Sequence, residues 1–487
     1  MTIFLLGIDG ASMNTINETL SRIHLPNFEK LIAKGSLADL KSVYPYVTAP
    51  AWTTIFSGVN PGKHGIFEMF EIRDDKVVPS NMRSTDVPLL WDHLSWANKR
   101  SLVVGIPFIH PAPKINGIFV TGRFSPKLSC YPEETRSRFD LRGFNFDDLS
   151  MEEKTEKIFV EGSNNISTKI LENLEKRTKA VSEMIDSEKW DVAIIVEGLP
   201  DDLLHLSYGD NMIVDEMYLA LDRLLGQVLS RMTPEDSLIV FSDHGFCKVE
   251  KVLFMNEWLL QKRYATLNQT ALSRFLIWLG LDWDSLSDPG FTSKIFRYML
   301  EHLPWLTGRI KNSVRSGLVV DENYRIKTSK VSAFSINEPL AWLRISENQE
   351  RFVTQDSLVS ELEELKQQGL LKNVFETDKI YTGKFVRFAP GKILVEAPDG
   401  WAVDTLRWNK RELSGKPLFT KKGVHRREGV LFIYSGSNSV KLESPRVHDI
   451  VPTVLDLMRF PIPENIDGKS LVQKQKEAEL LNVAKRL

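Results

Sequence analysis

Cysteine is almost missing: of 487 residues only Cys130 and Cys247 carry a thiol. A small secreted scaffold stapled by disulfides would use more, so a disulfide framework is excluded and a reducing, cytoplasmic setting is expected. No run of about 20 apolar residues occurs, which excludes an obvious membrane-spanning helix. The opening MTIFLLGIDG is apolar for too few residues to be a signal-peptide core and has no basic lead, so it reads as a buried first strand. Charge of one sign is lacking too. The formal net charge is −2, so no overall basic excess favours nucleic acid, and stable nucleic-acid binding is not expected. Histidine is scarce, at nine residues, so each one can be weighed singly.

What is present is an ordinary globular composition, 42% hydrophobic and 26% charged, in a chain long enough for two or three domains or one with insertions. Short β-branched runs at 3–8, 102–106, 192–196, 238–241 and 430–434 do not alternate with polar residues. Such runs predict strands buried on both faces, as in a parallel sheet. Helical spacing appears between them, within 20–32 and over 168–185 and 214–229. Strands alternating with helices predict a doubly wound α/β fold with helices on both faces of a mostly parallel sheet. The aromatic-rich stretch 259–348 (Trp278, Trp283, Phe296, Trp305) interrupts this pattern. It is read as the helical part of an insertion, 259–399, whose remainder, 349–399, is a small α+β part. That leaves 1–258 and 400–487 as the core. The insertion is a candidate cap, or a site of peripheral membrane contact. A charged amphipathic helix is expected from Lys469 onward.

Chemistry gathers where the strand runs end. Asp9 follows the first, Asp201 and His205 come shortly after the third, and Asp243-His244 follow the fourth. Open α/β sheets collect ligands at the carboxyl ends of their strands, so these segments should converge on one crevice. Asp201 and His205 stand at i, i+4 and share one face of a helical turn. Asp243 and His244, adjacent at a strand end, are expected to point to opposite sides and bridge two ions. Carboxylate and imidazole together suit Zn²⁺, with Mn²⁺ the alternative. Each segment also has a plain reading: Asp9 as a turn former before Gly10, His205 as an ordinary buried or surface imidazole. Thr48, just before Ala49-Pro50 and an apolar segment, is a helix N-cap on the plain reading. On the functional reading the same position sets a hydroxyl where helix-start amides favour an anion.

Taken in order, these segments resemble the alkaline phosphatase superfamily and, within it, the type I phosphodiesterase/nucleotide pyrophosphatase branch. The matching stretches are IDGAS (8–12), LPNFEKLIAKG (25–35), TAPAWTTIFSGVNPGKHGIF (48–67), DDLLH (201–205), SDHGF (242–246), FMNEWL (254–259), GVHRREGVLFIYSG (423–436) and HDIVPTVLDLMRFPIPENIDGKSL (448–471). The resemblance implies a hydrolase of phosphate esters or nucleotides with two divalent ions about 3.5–4 Å apart. It places Asp9, Thr48, Asp243 and His244 on one ion and Asp201, His205 and His425 on the other. Thr48 would be the nucleophile of a phosphothreonine intermediate. His64 lies in the family's PxxHG loop and is read as structural. Position 51, where many nucleotide pyrophosphatases carry Asn, is Ala51. Lys63, Arg123 and Arg426 are candidates to hold phosphate in its place. Trp52, with Phe67, Phe70 and Phe246, is a candidate for stacking on the organic group. Phosphomonoesterase or phosphotransferase activity stays open. A sulfatase is excluded because TAPAW lacks the Cys or Ser and the Arg of that chemistry. Seven filled positions argue against an inactive binding scaffold.

Overall fold

The computed structural model describes residues 1–73, 76–144, 163–267, 326–335, 338–346, 349, 352–405, 412–417, 422–435, 440 and 442–472. These form two compact units: Met1–Lys248 with Asp378–Ala389 and Lys422–Leu487, and Val249–Thr377 with Pro390–Lys421.

The first unit is built on an eight-stranded sheet, ordered Ser36–Lys41, Glu428–Ser435, Ser237–Phe241, Ile3–Ile8, Val192–Glu197, Ser101–Ile106, Gly117–Thr121 and Cys130–Tyr131. The five strands from Ser237–Phe241 to Gly117–Thr121 are mutually parallel. Ile3–Ile8 lies in the middle with Gly7 between Val196 and Phe241. All six of its residues are buried, as expected of a strand covered on both faces. Glu428–Ser435 runs antiparallel to its neighbours. One face packs against the helices Pro26–Lys34, Ser163–Ser187 and Asn211–Leu229, and the other against Thr48–Ser57, Leu90–Trp96 and Ile450–Leu457. Of the range 20–32 expected to be helical, the helix Pro26–Lys34 is the part that forms, because Pro26 fits only a first turn; a separate helix, Met13–Leu20, ends where the range begins.

Asp378–Ala389 joins the first unit through hydrogen bonds. Tyr381 Oη donates to Tyr44 O at 2.7 Å, and Phe385 N–H donates to Gly62 O at 2.9 Å.

The second unit holds an antiparallel sheet ordered Val331–Phe334, Leu340–Ile345, Ile393–Glu396, Asn373–Glu376, with the helix Gln355–Gln367 in its core. Within 259–348 the described backbone beyond the helix Met255–Gln261 is strand: Ala265–Leu267, Ile326–Ser329, Val331–Phe334 and Leu340–Ile345. The aromatic positions Trp278, Trp283, Phe296 and Trp305 lie outside the described residues, as does nearly all of the expected C-terminal helix. Among the described residues no helix is long and apolar enough to cross a membrane.

Candidate metal centre

The chemistry-bearing residues follow the carboxyl ends of three adjacent parallel strands. Ile3–Ile8 delivers Asp9, Val192–Glu197 feeds the helix Leu199–Ser207 that carries Asp201 and His205, and Ser237–Phe241 leads to Asp243 and His244. A short antiparallel pair, Gly245–Lys248 with Gly423–Arg426, brings His425 opposite Phe246. The carboxyl-end crevice is therefore filled by topology alone.

Two triads result. Asp201, His205 and His425 present ligand atoms within 4.8 Å of one another, and so do Asp9, Asp243 and His244. In the first, His425 Nε2 lies 3.2 Å from Asp201 Oδ1 and 3.1 Å from His205 Nε2. In the second, His244 Nε2 lies 3.2 Å from Asp243 Oδ2 and 3.6 Å from Asp9 Oδ1. The His244 and His425 rings stack with centroids 3.7 Å apart, so the triads are neighbours. Asp243 and His244 converge on one triad instead of diverging as expected. The strand ends at Phe241, and Ser242 Oγ donates to His244 O in the turn that follows, so strand alternation no longer applies.

Each imidazole faces a backbone carbonyl through Nδ1: His205 to Gly423 O at 3.1 Å, His425 to Tyr46 O at 3.2 Å and His244 to Gly245 O at 3.3 Å. A carbonyl only accepts, so each Nδ1 donates to the backbone and each Nε2 is the nitrogen turned to the carboxylates, the one that could ligate a metal. The Nε2 atoms of His205 and His425 lie 3.1 Å apart, and both face Asp201 Oδ1, so three ligand atoms converge on one point. A divalent cation there would be held by all three.

The carboxylates show the same demand. Burial, then the charges of Asp243 and Asp201, pushes Asp9 well above the usual carboxylate range. Burial, then Asp201, pushes Asp243 up to about 7. Asp201 is also pushed up by burial, but His205 and His425 hold it well below its ordinary value. Asp9 Oδ1 and Asp243 Oδ2 are buried with no hydrogen-bond partner among the described residues. Buried anions that repel one another, with oxygens left over, are the donor set a divalent cation satisfies. The residues fit two ions.

Thr48 opens the helix Thr48–Ser57. Val47 is at the cap position, and no side chain caps the helix. The N-cap reading of Thr48 thus fails. Thr48 Oγ1 is buried and has no hydrogen-bond partner among the described residues. Two contacts locate it. Tyr46 O, two residues earlier, holds His425, and Trp52 Nε1, one turn later on the same helix face, donates to Asp9 Oδ2 at 3.1 Å. In the sequence Thr48 thus stands between two residues that each contact a ligand of one triad. Pro50 has no N–H and the Ala51 amide donates to Val47 O, which leaves the Thr48 and Ala49 amides as donors at this end.

The family model described as type I phosphodiesterase / nucleotide pyrophosphatase matches residues 3–425. The chain belongs to that family. It is a phosphoester hydrolase of a kind typically dependent on two metal ions. No curated protein sequence matches it. Among solved structures it is similar to murine ectonucleotide pyrophosphatase / phosphodiesterase 5, as an inactive variant in complex with AMP, with TM-score 0.52 and 11% identity, covering 97% of this chain and 100% of that one. It is also similar to phosphonoacetate hydrolase from Sinorhizobium meliloti 1021 in complex with phosphonoformate, with TM-score 0.54 and 12% identity, covering 93% and 94%. These likenesses show an alkaline-phosphatase-like fold.

Five candidate substrate contacts of this phosphodiesterase-family chain are corrected. Trp52 cannot stack on a substrate: its ring is fully buried, parallel to Phe56 and tilted on Phe241. Lys63 is tied to Asp467 and to Asn465 O, which pins its ammonium to the C-terminal segment. Arg123 is buried and pairs with Asp201 and Asp202, so its guanidinium serves the protein and not a phosphate. Arg426 pairs with Glu428, and Phe246 is buried between the three imidazoles. Ala51 belongs to the apolar core. The indole donor on Asp9 and the Tyr46 and Gly423 carbonyls went unseen, because carbonyl positions leave no mark in residue types.

His64 is structural by its geometry. Its Nδ1 accepts from Ile66 N–H at 3.1 Å, so its Nε2 donates to Thr54 Oγ1 at 3.0 Å. Burial, then nearby His448, pushes His64 down to about 3. Burial, then Arg446, does the same to His448. The unfolded imidazoles take protons near their ordinary value of 6.5, while the folded ones resist until about 3. The unfolded state therefore binds more protons across that window, and stability falls as pH drops through it. The slope approaches about 1.4 kcal/mol per pH unit for each imidazole. Urea midpoints measured from pH 6.5 to 4.5 should decline steeply in the wild type and less steeply in His64→Gln. Parallel slopes would contradict this account of His64.

Proposed function

We propose that the chain hydrolyses phosphodiester or nucleotide pyrophosphate bonds, with Thr48 as nucleophile. The observation that carries this is the pair of neighbouring triads of carboxylate and imidazole, together with a buried hydroxyl at a helix start that has no hydrogen-bond partner among the described residues. Asp9, Asp243, His244 and Thr48 would hold one divalent ion, and Asp201, His205 and His425 the other. Zn²⁺ suits this mix, with Mn²⁺ the alternative. When bound, such ions act as Lewis acids on the attacking and leaving oxygens.

The protein's own part is orientation. The helix start presents the Thr48 oxygen together with the Thr48 and Ala49 amides, which donate to non-bridging oxygens of the phosphoryl group. Attack by Thr48 Oγ1 forms an O–P bond and expels the alcohol or phosphate. Water then cleaves the phosphothreonine. Both displacements invert at phosphorus, so overall configuration is retained. AMP in the murine neighbour supports a nucleotide substrate. Phosphonoformate in the bacterial one keeps a phosphonate in view. The decisive assay compares an aryl nucleotide diester with the monoester of the same aryl alcohol, with added Zn²⁺ or Mn²⁺. The diester should have the higher kcat/KM. A preference for the monoester would replace this reading with a phosphomonoesterase.

A further inference from the structure

We infer that Arg123 is a positioning residue for the Asp201 triad: its buried guanidinium fixes the Asp201 carboxylate so that one oxygen is reserved for ligation. This rests on the two-ion reading above. Arg123 NH1 donates to Gly198 O at 2.6 Å and to Asp201 Oδ2 at 3.3 Å, while NH2 donates to Asp202 Oδ1 at 2.5 Å. The other oxygen, Asp201 Oδ1, is the one that faces His205 and His425. The guanidinium thus divides the carboxylate between support and ligation, and it ties both acids to the backbone at the start of their helix. A planar fork does this in a way a point charge does not.

The surroundings are shaped to admit it. A Cβ added at Gly198 would lie 2.9 Å from Arg123 Cδ, so a side chain there would displace the arginine. The next residue, Phe124, has φ 59° and stacks face to face on Phe108, itself at φ 53°, with centroids 4.4 Å apart. Arg123 Cζ sits 4.7 Å from the Phe124 ring centroid, and Phe108 N–H donates to Arg123 O. Two bulky residues in the left-handed region, both next to one arginine, are a local cost that the surrounding fold sustains. The charge of Arg123 also reaches Asp9, but the hydrogen bonds given for the other triad come from neutral donors. Asp9 is held by the neutral indole of Trp52 and Asp243 by the Gly10 amide.

The consequence is site-selective. Metal-depleted full-length protein, titrated calorimetrically with Zn²⁺, should take two ions in the wild type. Arg123→Met should keep one event and weaken the other about 10–100-fold. Arg123→Lys should recover part of that loss, because one donor can still reach Asp201. His425→Ala marks which event belongs to the Asp201 triad and should lose the same one. Equal weakening of both events, or an unchanged second event, would overturn the assignment, as would loss of the event that His425→Ala retains. Binding of fewer than two ions by the wild type would instead count against the two-ion reading itself.

Discussion

Thr48→Ala should abolish turnover, lowering kcat/KM on a nucleotide diester by at least about 10³-fold, while bound metal per chain stays at the wild-type level. The expectation comes from what the hydroxyl does not do. Thr48 Oγ1 caps no helix and has no hydrogen-bond partner among the described residues, although it is buried. Removing a hydroxyl that makes no internal bond relieves a desolvation cost and forfeits one methyl group's packing, two terms of similar size and opposite sign. The thermal midpoint should therefore move little, with stability within about 1 kcal/mol of wild type. Thr48→Ser keeps the oxygen and should retain measurable turnover. Inactivity together with intact metal and intact stability is the signature of a nucleophile. Wild-type turnover in Thr48→Ala would remove Thr48 from the chemistry.

The strands that carry the ligands were legible because they are buried on both faces. Ile3–Ile8, Val192–Glu197 and Ser237–Phe241 appear in the sequence as unbroken apolar runs within one residue of their true ends. Ser36–Lys41 was missed because it is an edge strand with mostly exposed or half-buried residues. Cys130–Tyr131 is too short for any pattern. The antiparallel course of Glu428–Ser435 is a long-range fact, fixed by pairing with residues near 240 and near 40. At the site, Asp201 and His205 were readable from helical spacing. His425 has no local partner in sequence and was reachable only through the family resemblance. Two of the misread side chains, Trp52 and Arg123, share a cause. An aromatic ring or a guanidinium beside a motif suggests a substrate contact, and only the fold shows that each has an internal carboxylate to satisfy.

His425→Ala should lower the metal content by one ion per chain and reduce kcat/KM by more than about 10²-fold, beyond what a lost supporting contact costs. The contacts of His425 span both triads. Its Nε2 meets Asp201 and His205, its ring lies on His244, and its Nδ1 proton is on the carbonyl of Tyr46. It thereby ties the Asp201 triad both to the other triad and to the segment that leads into Thr48. Without metal the variant loses the ring's packing on His244 and Phe246 and its contact with Asp201, a loss present in both arms of the comparison. The difference should open on adding Zn²⁺. The wild type gains stability with every ion it binds in the folded state alone, and the variant gains less because it holds one ion fewer. Unfolding of both proteins, with and without Zn²⁺, therefore separates a ligand from a packing residue. A packing residue would weaken both states alike, and an equal Zn²⁺-dependent gain in the variant would place His425 outside the metal centre.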